Sequence, residues 1–134
     1  MGGSFLVRAA LLGGAMLFTA WPGATQQPAS VALLARLEPG QWELRGPSNN
    51  RIALYCLGNP LQLVQPQHGA AACTRTLISE DARQATVQYS CPGAGNGRTT
   101  IRLETARLVQ IDSQGMDHGA PFALRGEARH LGPC

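Results

Sequence analysis

The sequence predicts an all-β fold, an antiparallel meander of about seven short strands that forms either a curved sheet or an open barrel. Three observations lead to this class. Clusters of turn-forming residues interrupt the chain roughly every eight to twelve residues. Apolar and polar residues alternate along the second half, which is the period of a strand with one polar face. Four cysteines in a chain of 134 residues predict two disulfides that staple the small core.

The turn clusters divide the chain into strands and one short helical turn. Asn59 and Pro60 are suited to the N-cap and the first helical position, so they predict a helical turn that ends near residue 64. Residues 51–57 are apolar at nearly every position, which is typical of a strand buried on both sides. Residues 92–97 and 113–119 are expected to form loops. The predicted strands are residues 41–45, 51–57, 73–79, 83–91, 98–105, 107–112 and 122–131.

The first 24 residues have the composition of a secretory signal peptide. Residues 1–8 carry one positive charge, residues 9–20 are an uncharged apolar run, and small residues follow. That run is too short to span a bilayer, and the order matches the three regions of a signal. We therefore expect residues 1–24 to be a signal peptide, residues 25–36 a lead-in and residues 37–134 the folded domain. An uncleaved membrane anchor is the alternative for the first segment. We expect no transmembrane segment in the mature chain.

The cysteines are expected to form disulfides because export exposes them to an oxidising compartment. Their spacing does not determine the pairing. Cys56 and Cys73 lie at the two ends of one loop, which favours a local bridge and leaves Cys91 with Cys134. A three-residue hairpin loop centred on Ala82 would instead place Cys73 directly opposite Cys91, so this alternative stays open.

Five segments occur in order along the second part of the chain: LEPGQWE at residues 37–43, Cys56-Leu57, Cys73, VQYSC at residues 87–91 and RHLGPC at residues 129–134. Their ordered combination resembles a family of proteobacterial exported proteins that is catalogued as domain of unknown function 3617. The resemblance covers residues 37–134 and implies an exported β-rich domain with paired cysteines, so we expect the protein in the periplasm of a Gram-negative bacterium. It implies no activity.

No set of residues predicts a catalytic centre, a metal site or a cofactor. The cysteines are too widely spaced for zinc knuckles, and His68 lies in a loop rich in proline and glycine. His118 and His130 have no serine nearby in a nucleophile-elbow context. The glycines of residues 93–97 precede a strand rather than a helix, so turn formation explains them better than phosphate binding.

The formal net charge is +3 and every basic residue is an arginine. No basic cluster is interleaved with aromatic residues, so we expect no nucleic-acid partner. Arg98 and Arg102 align on one predicted strand, and Arg125 and Arg129 align on another. If these strands are neighbours, the four guanidinium groups form a face that can bind carboxylates or phosphates. A solvated face with ion pairs across the strands is the alternative.

The sequence thus predicts a non-catalytic binding module of the cell envelope. A closed sheet would hold a small ligand inside it, whereas an open sheet would bind an anionic lipid or a protein through the arginine face or an edge. The alternatives are a purely structural or stress-related envelope protein and a small envelope hydrolase that uses His118 or His130. No sequence feature identifies the ligand or the partner.

Overall fold

The computed structural model describes residues 31–134, which form seven antiparallel strands and two short 3₁₀ segments. The predicted signal peptide (residues 1–24) and residues 25–30 lie outside the described part of the chain. The prediction of an all-β antiparallel meander with two disulfides is confirmed. The elements are η1 (Ala32–Arg36), β1 (Gly40–Arg45), β2 (Arg51–Leu57), η2 (Pro60–Val64), β3 (Thr74–Glu80), β4 (Gln84–Cys91), β5 (Gly95–Thr105), β6 (Leu108–Asp117) and β7 (Ala120–Gly132).

The strands form one sheet in the order β2-β1-β7-β6-β5-β4-β3. From β3 to β7 each strand pairs with the next one along the chain, as hairpins do. β1 is the exception, because it lies between β2 and the last strand, β7. Among the strands of residues 31–134, β2 and β3 lie at the two edges, so this sheet is open and does not close into a barrel.

The core lies on one face of the sheet, here called the inner face, beneath η1 and η2. Leu34 of η1 and Leu63 of η2 are buried against it. Trp42 of β1 is fully buried, and its indole N–H donates to the carbonyl of Glu38 at 2.9 Å. The predicted helical turn is confirmed as η2, where the Asn59 side chain accepts a hydrogen bond from the backbone N–H of Leu61.

The prediction that residues 51–57 are buried on both sides is wrong. β2 is an edge strand that pairs only with β1 among the described strands. Its residues Tyr55 and Leu57 face the core, but Ile52 and Leu54 are 40% and 48% exposed. An apolar run predicted an internal strand because sequence alone does not show which strands lie at an edge.

Two predicted loops are shorter than expected. β5 already begins at Gly95, and β6 continues to Asp117, so that only His118 and Gly119 connect β6 to β7. Both have positive φ angles (47° and 85°), as a two-residue hairpin turn requires. Gly97 lies within β5, and a Cβ at this position would come within 2.5 Å of the Tyr89 hydroxyl oxygen. Close packing on Tyr89 therefore explains this glycine better than turn formation.

The predicted disulfide pairs Cys56–Cys73 and Cys91–Cys134 are wrong. The bonds are Cys73–Cys91, with a Cα–Cα distance of 4.1 Å, and Cys56–Cys134, with a Cα–Cα distance of 5.7 Å.

The sheet explains both bonds. In the β3–β4 hairpin Thr74 pairs with Ser90, so Cys73 lies directly opposite Cys91. In β1, Gln41 pairs with Cys56 on one side and with Gly132 on the other. The end of the chain therefore reaches Cys56 across β1. The prediction of a local Cys56–Cys73 bond is wrong because the spacing of two cysteines does not show that β1 lies between β2 and β7.

The two disulfides indicate an oxidising, exported environment, in which such bonds persist. All four cysteines take part in them. Across residues 31–134 we find no helix with the length and apolar character needed to cross a membrane.

The two disulfides should stabilise the fold to different degrees. Cys56–Cys134 closes a sequence separation of 78 residues and Cys73–Cys91 one of 18. In the chain-entropy model, replacing the first pair by serines costs roughly 4–5 kcal/mol of unfolding free energy and replacing the second about 3 kcal/mol. Urea denaturation of the two double-serine variants measures this. A smaller loss for the Cys56→Ser/Cys134→Ser variant would contradict it.

Candidate functional site

The four arginines singled out in the sequence lie on the outer face, which is the face of the sheet opposite to η1 and η2. Arg102 of β5 pairs with Gln110 of β6, and Arg125 of β7 pairs with Asp112 of β6. Arg98 and Arg129 follow the same alternation on β5 and β7. The strands that carry these arginines are not neighbours, however, because β6 separates them.

Three of the four arginines are held by carboxylates. Arg125 donates from Nε and Nη2 to one carboxylate oxygen of Asp112, at 2.9 and 2.7 Å. Arg102 Nη2 lies 2.9 Å from Glu104 Oε1. Arg129 pairs with Glu127, whose pKa is lowered by the hydrogen bonds that Arg129 and Gln110 donate to it. Most of the positive charge is therefore locally balanced.

A depression of about 450 Å³ on the outer face brings Arg102 and Arg125 to one site. We call it the arginine groove. Its walls also supply the Thr100 hydroxyl and two side-chain amides, all of which can donate hydrogen bonds. The lining residues are Gln84, Thr100, Arg102, Gln110, Ile111, Asp112 and Arg125.

A second depression, of about 370 Å³, adjoins the arginine groove and shares Gln110 and Arg125 with it. It adds the guanidinium group of Arg45 from β1 and the turn at Pro47. Together the two depressions cross the outer face from β5 to β1.

The arginines of the groove keep unused donors in spite of their ion pairs. A guanidinium group has five N–H bonds. Arg125 uses Nε and Nη2 on Asp112, which leaves Nη1. Arg102 contacts Glu104 through Nη2, which leaves Nε and Nη1. The groove can therefore donate hydrogen bonds to an anion without losing these ion pairs.

The outer face contains a buried carboxylate that no pattern in the sequence predicted. Glu43 of β1 is only 3% exposed, although it lies on the face opposite to Trp42. Its two carboxylate oxygens accept hydrogen bonds from Nε of Arg45 and Nε of Arg51. These hydrogen bonds, that from Arg45 first, lower the pKa of Glu43. The arrangement ties the start of β2 to β1.

His130, one candidate base for a hydrolase, is held in a structural contact. Its Nε2 lies 3.0 Å from the carbonyl oxygen of Pro39, which can only accept, so Nε2 carries the hydrogen. Its Nδ1 accepts from the guanidinium group of Arg107 at 3.2 Å. The ring also packs edge-on against Trp42. Glu38 lies 3.9 Å from Nδ1, but both ring nitrogens already have closer partners.

The other two histidines meet at Asp117, at the end of β6. His118 is exposed and its Nδ1 donates to Asp117 Oδ1 at 2.6 Å. His68 is buried, with Nδ1 3.0 Å from the Tyr89 hydroxyl and Nε2 3.8 Å from Asp117 Oδ1, beyond hydrogen-bond distance. Ser113, the serine that precedes this turn, is buried and bonded to Thr99 at 2.7 Å.

The pKa of Asp117 is lowered by the hydrogen bonds that Gln67 and His118 donate to it. In the described part of the chain, no three His, Cys, Asp or Glu side chains are arranged to hold a metal ion.

The fold and the site define the class in structural terms: a domain of one open seven-stranded antiparallel sheet, with two disulfides and an arginine-lined groove on its outer face. No family model matches the chain. A search of the curated proteins found no match to it either.

Replacing Glu43 by glutamine should destabilise the protein in a pH-dependent way. A lowered folded-state pKa means that ionised Glu43 favours the folded state above its ordinary pKa of 4.5 and that this stabilisation is lost as the pH falls through the lowered value. Thermal unfolding should therefore show a lower midpoint for Glu43→Gln at pH 7, and the difference should vanish in acid.

Glu104→Gln provides the matched control, since Glu104 also pairs with an arginine but is more exposed. A surface substitution of this kind should change the unfolding free energy by less than about 0.5 kcal/mol. Equal effects of the two variants would contradict the structural role of Glu43.

Proposed function

We propose that the protein is a non-catalytic binding module in the periplasm of a Gram-negative bacterium, and that its arginine groove binds the phosphate headgroup of an anionic envelope lipid. The observation that carries the proposal is the convergence of Arg102 and Arg125 on one depression, beside hydroxyl and amide donors. Planar guanidinium groups with free N–H bonds suit phosphate oxygens.

The charge of the outer face supports an anionic ligand. Six arginines lie on this face with four carboxylates, which leaves an excess of two positive charges. Arg98 has no carboxylate partner within residues 31–134, so its charge is free to attract an anion. The arginines are 45, 51, 98, 102, 125 and 129, and the carboxylates are Glu43, Glu104, Asp112 and Glu127.

Apolar residues on the same face favour a lipid surface over an acidic protein. Met116 and Leu131 are 37% and 46% exposed there. Met116 lines a further depression together with Arg98. Apolar side chains beside cationic ones can enter the headgroup region of a membrane while the charges contact phosphates. The inner face is covered by η1 and η2, which supports the outer face as the binding surface.

The proposed periplasmic setting rests on the two disulfides and on the predicted signal peptide. It rests also on the resemblance to the exported family catalogued as domain of unknown function 3617. We propose that the chain is a member of this family. The non-catalytic role is supported by His130, whose two ring nitrogens are engaged, and by Ser113, whose hydroxyl bonds to Thr99.

Vesicle co-sedimentation tests the proposal. The full chain, purified with its disulfides intact, should bind vesicles that contain phosphatidylglycerol and not vesicles of phosphatidylcholine alone. Arg102→Gln and Arg125→Gln should each weaken binding about fivefold, because one arginine near an anionic membrane contributes on the order of 1 kcal/mol. Binding should also fall with added salt.

Arg36→Gln is the matched control, since it removes the same charge from η1, which lies on the side of the sheet opposite to the groove. It should leave vesicle binding nearly unchanged. An equal loss in all three variants would show unspecific attraction and would count against the groove. Absence of binding by the unmodified protein would contradict the proposal and favour a purely structural role.

A further inference from the structure

The composition of β2 does not match its position. β2 lies at the edge of the sheet, yet its sequence RIALYCL is that of an internal strand, apolar at nearly every position. Five large hydrophobic residues are exposed in the described chain, and two of them, Ile52 and Leu54, belong to this one strand. An edge strand of this kind presents unpaired backbone N–H and C=O groups beside apolar side chains, and natural proteins usually protect such edges.

The opposite edge is protected. β3 carries Arg75, which points inward and donates to Gln65, and it ends in Glu80. An inward-pointing charge on an edge strand discourages further strand pairing. A register shift at Ile78 interrupts the middle of β3, whereas the shift in β2 lies near its start, at Ile52. The segment that follows Ile52 in β2, residues 53–57, is regularly paired with β1 and uncharged.

β2 is also held in place at both ends. Arg51 binds the buried carboxylate of Glu43, and Cys56 is bonded to Cys134. A strand fixed in this way needs little further ordering to accept a partner strand. Within residues 31–134, this edge is therefore anchored at both ends, apolar and without a second strand partner.

We propose that β2 pairs antiparallel with β2 of a second copy of this chain, which joins the two sheets into one. In a symmetric antiparallel pair centred on a residue, outward side chains meet outward ones, so Leu54 lies against Leu54 or Cys56 of the other copy. Both faces of residues 53–57 are apolar, so the strand is complementary to itself. Each Arg51 lies at an opposite end of the paired segment, which keeps the like charges apart.

The pairing has a consequence for the surface described above. Side chains that are opposite each other in a sheet lie on the same face, so the outer faces of the two copies form one continuous surface. Both arginine grooves would then point to the same side. Two linked sites on one side of a dimer increase the overall affinity for a surface without any new contact. The dimer itself does not depend on what the groove binds.

Sedimentation velocity of the full chain in solution, without vesicles, tests the dimer. The purified protein with intact disulfides should dimerise with a dissociation constant on the order of 1–100 μM, as expected for a small interface. Leu54→Lys should raise that constant at least about tenfold, because it buries a charge against an apolar neighbour. Leu54 is exposed, so the variant should keep the thermal unfolding midpoint of the unmodified protein.

Two variants of nearly equal exposure are matched controls. Ile78→Lys changes the other edge, and Leu131→Lys changes the end of β7, which β1 separates from β2. These residues are 44% and 46% exposed, against 48% for Leu54. Both variants should still dimerise. Dissociation caused by Ile78→Lys would assign the contact to β3, and dissociation caused by Leu131→Lys would assign it to the outer face. Either result would overturn the proposal.

Hydrogen exchange provides a second readout. Amide hydrogens within residues 53–57 should exchange more slowly as the protein concentration rises, while those of β3 should not change. A protein that stays monomeric up to about 500 μM, well above that range of dissociation constants, would also overturn the proposal. So would a dimer without concentration-dependent protection in β2.

Discussion

The fold depends on the pairing of β1 with β7, the one contact among the described strands that joins the first hairpin to the last strand. Without it, the β1–β2 hairpin would have no strand neighbour in the sheet. Such a long-range contact is costly in loop-closure entropy, and the Cys56–Cys134 bond next to it offsets that cost. Gly40 shows how closely β1 and β7 approach each other, since a Cβ there would lie 2.3 Å from the carbonyl oxygen of Gly132. Trp42 packs against His130 at the same place.

The same contact shapes the outer face. Because β7 lies between β6 and β1, Arg125 of β7 lines both the arginine groove and the depression that contains Arg45 of β1. Placing β1 inside the sheet also leaves β2 at the edge, where its apolar residues lack a second neighbour. The proposed binding surface and the proposed dimer edge thus follow from one topological choice. The ion pairs of Arg102 with Glu104 and of Arg125 with Asp112 leave some N–H donors of both arginines unused.

What the sequence predicted well is local. The alternation of apolar and polar residues predicted a strand at residues 83–91, where β4 lies, and Asn59-Pro60 predicted η2. The opposition of Cys73 and Cys91 follows from the hairpin and was open as an alternative for that reason. Periodicity and capping act over a few residues, so they can be seen without knowledge of the sheet order.

The rest required long-range information. The bond between Cys56 and Cys134 can be inferred only when β1 is known to lie between β2 and β7. The exposure of Leu54 depends on that order as well. The burial of Glu43, which alternates with Trp42 and Leu44, was not predicted, because it depends on Arg45 and Arg51, which donate hydrogen bonds to its carboxylate. None of these contacts leaves a signal in residue spacing.

A disulfide map of the non-reduced protein tests this topology most directly. Trypsin cleaves after arginine, so Cys56 and Cys73 stay together in the peptide of residues 52–75, Cys91 in residues 84–98 and Cys134 in residues 130–134. The structure predicts one species in which both shorter peptides are bonded to residues 52–75, with fragmentation assigning Cys134 to Cys56. Residues 84–98 bonded only to residues 130–134, with residues 52–75 closed on themselves, would contradict it.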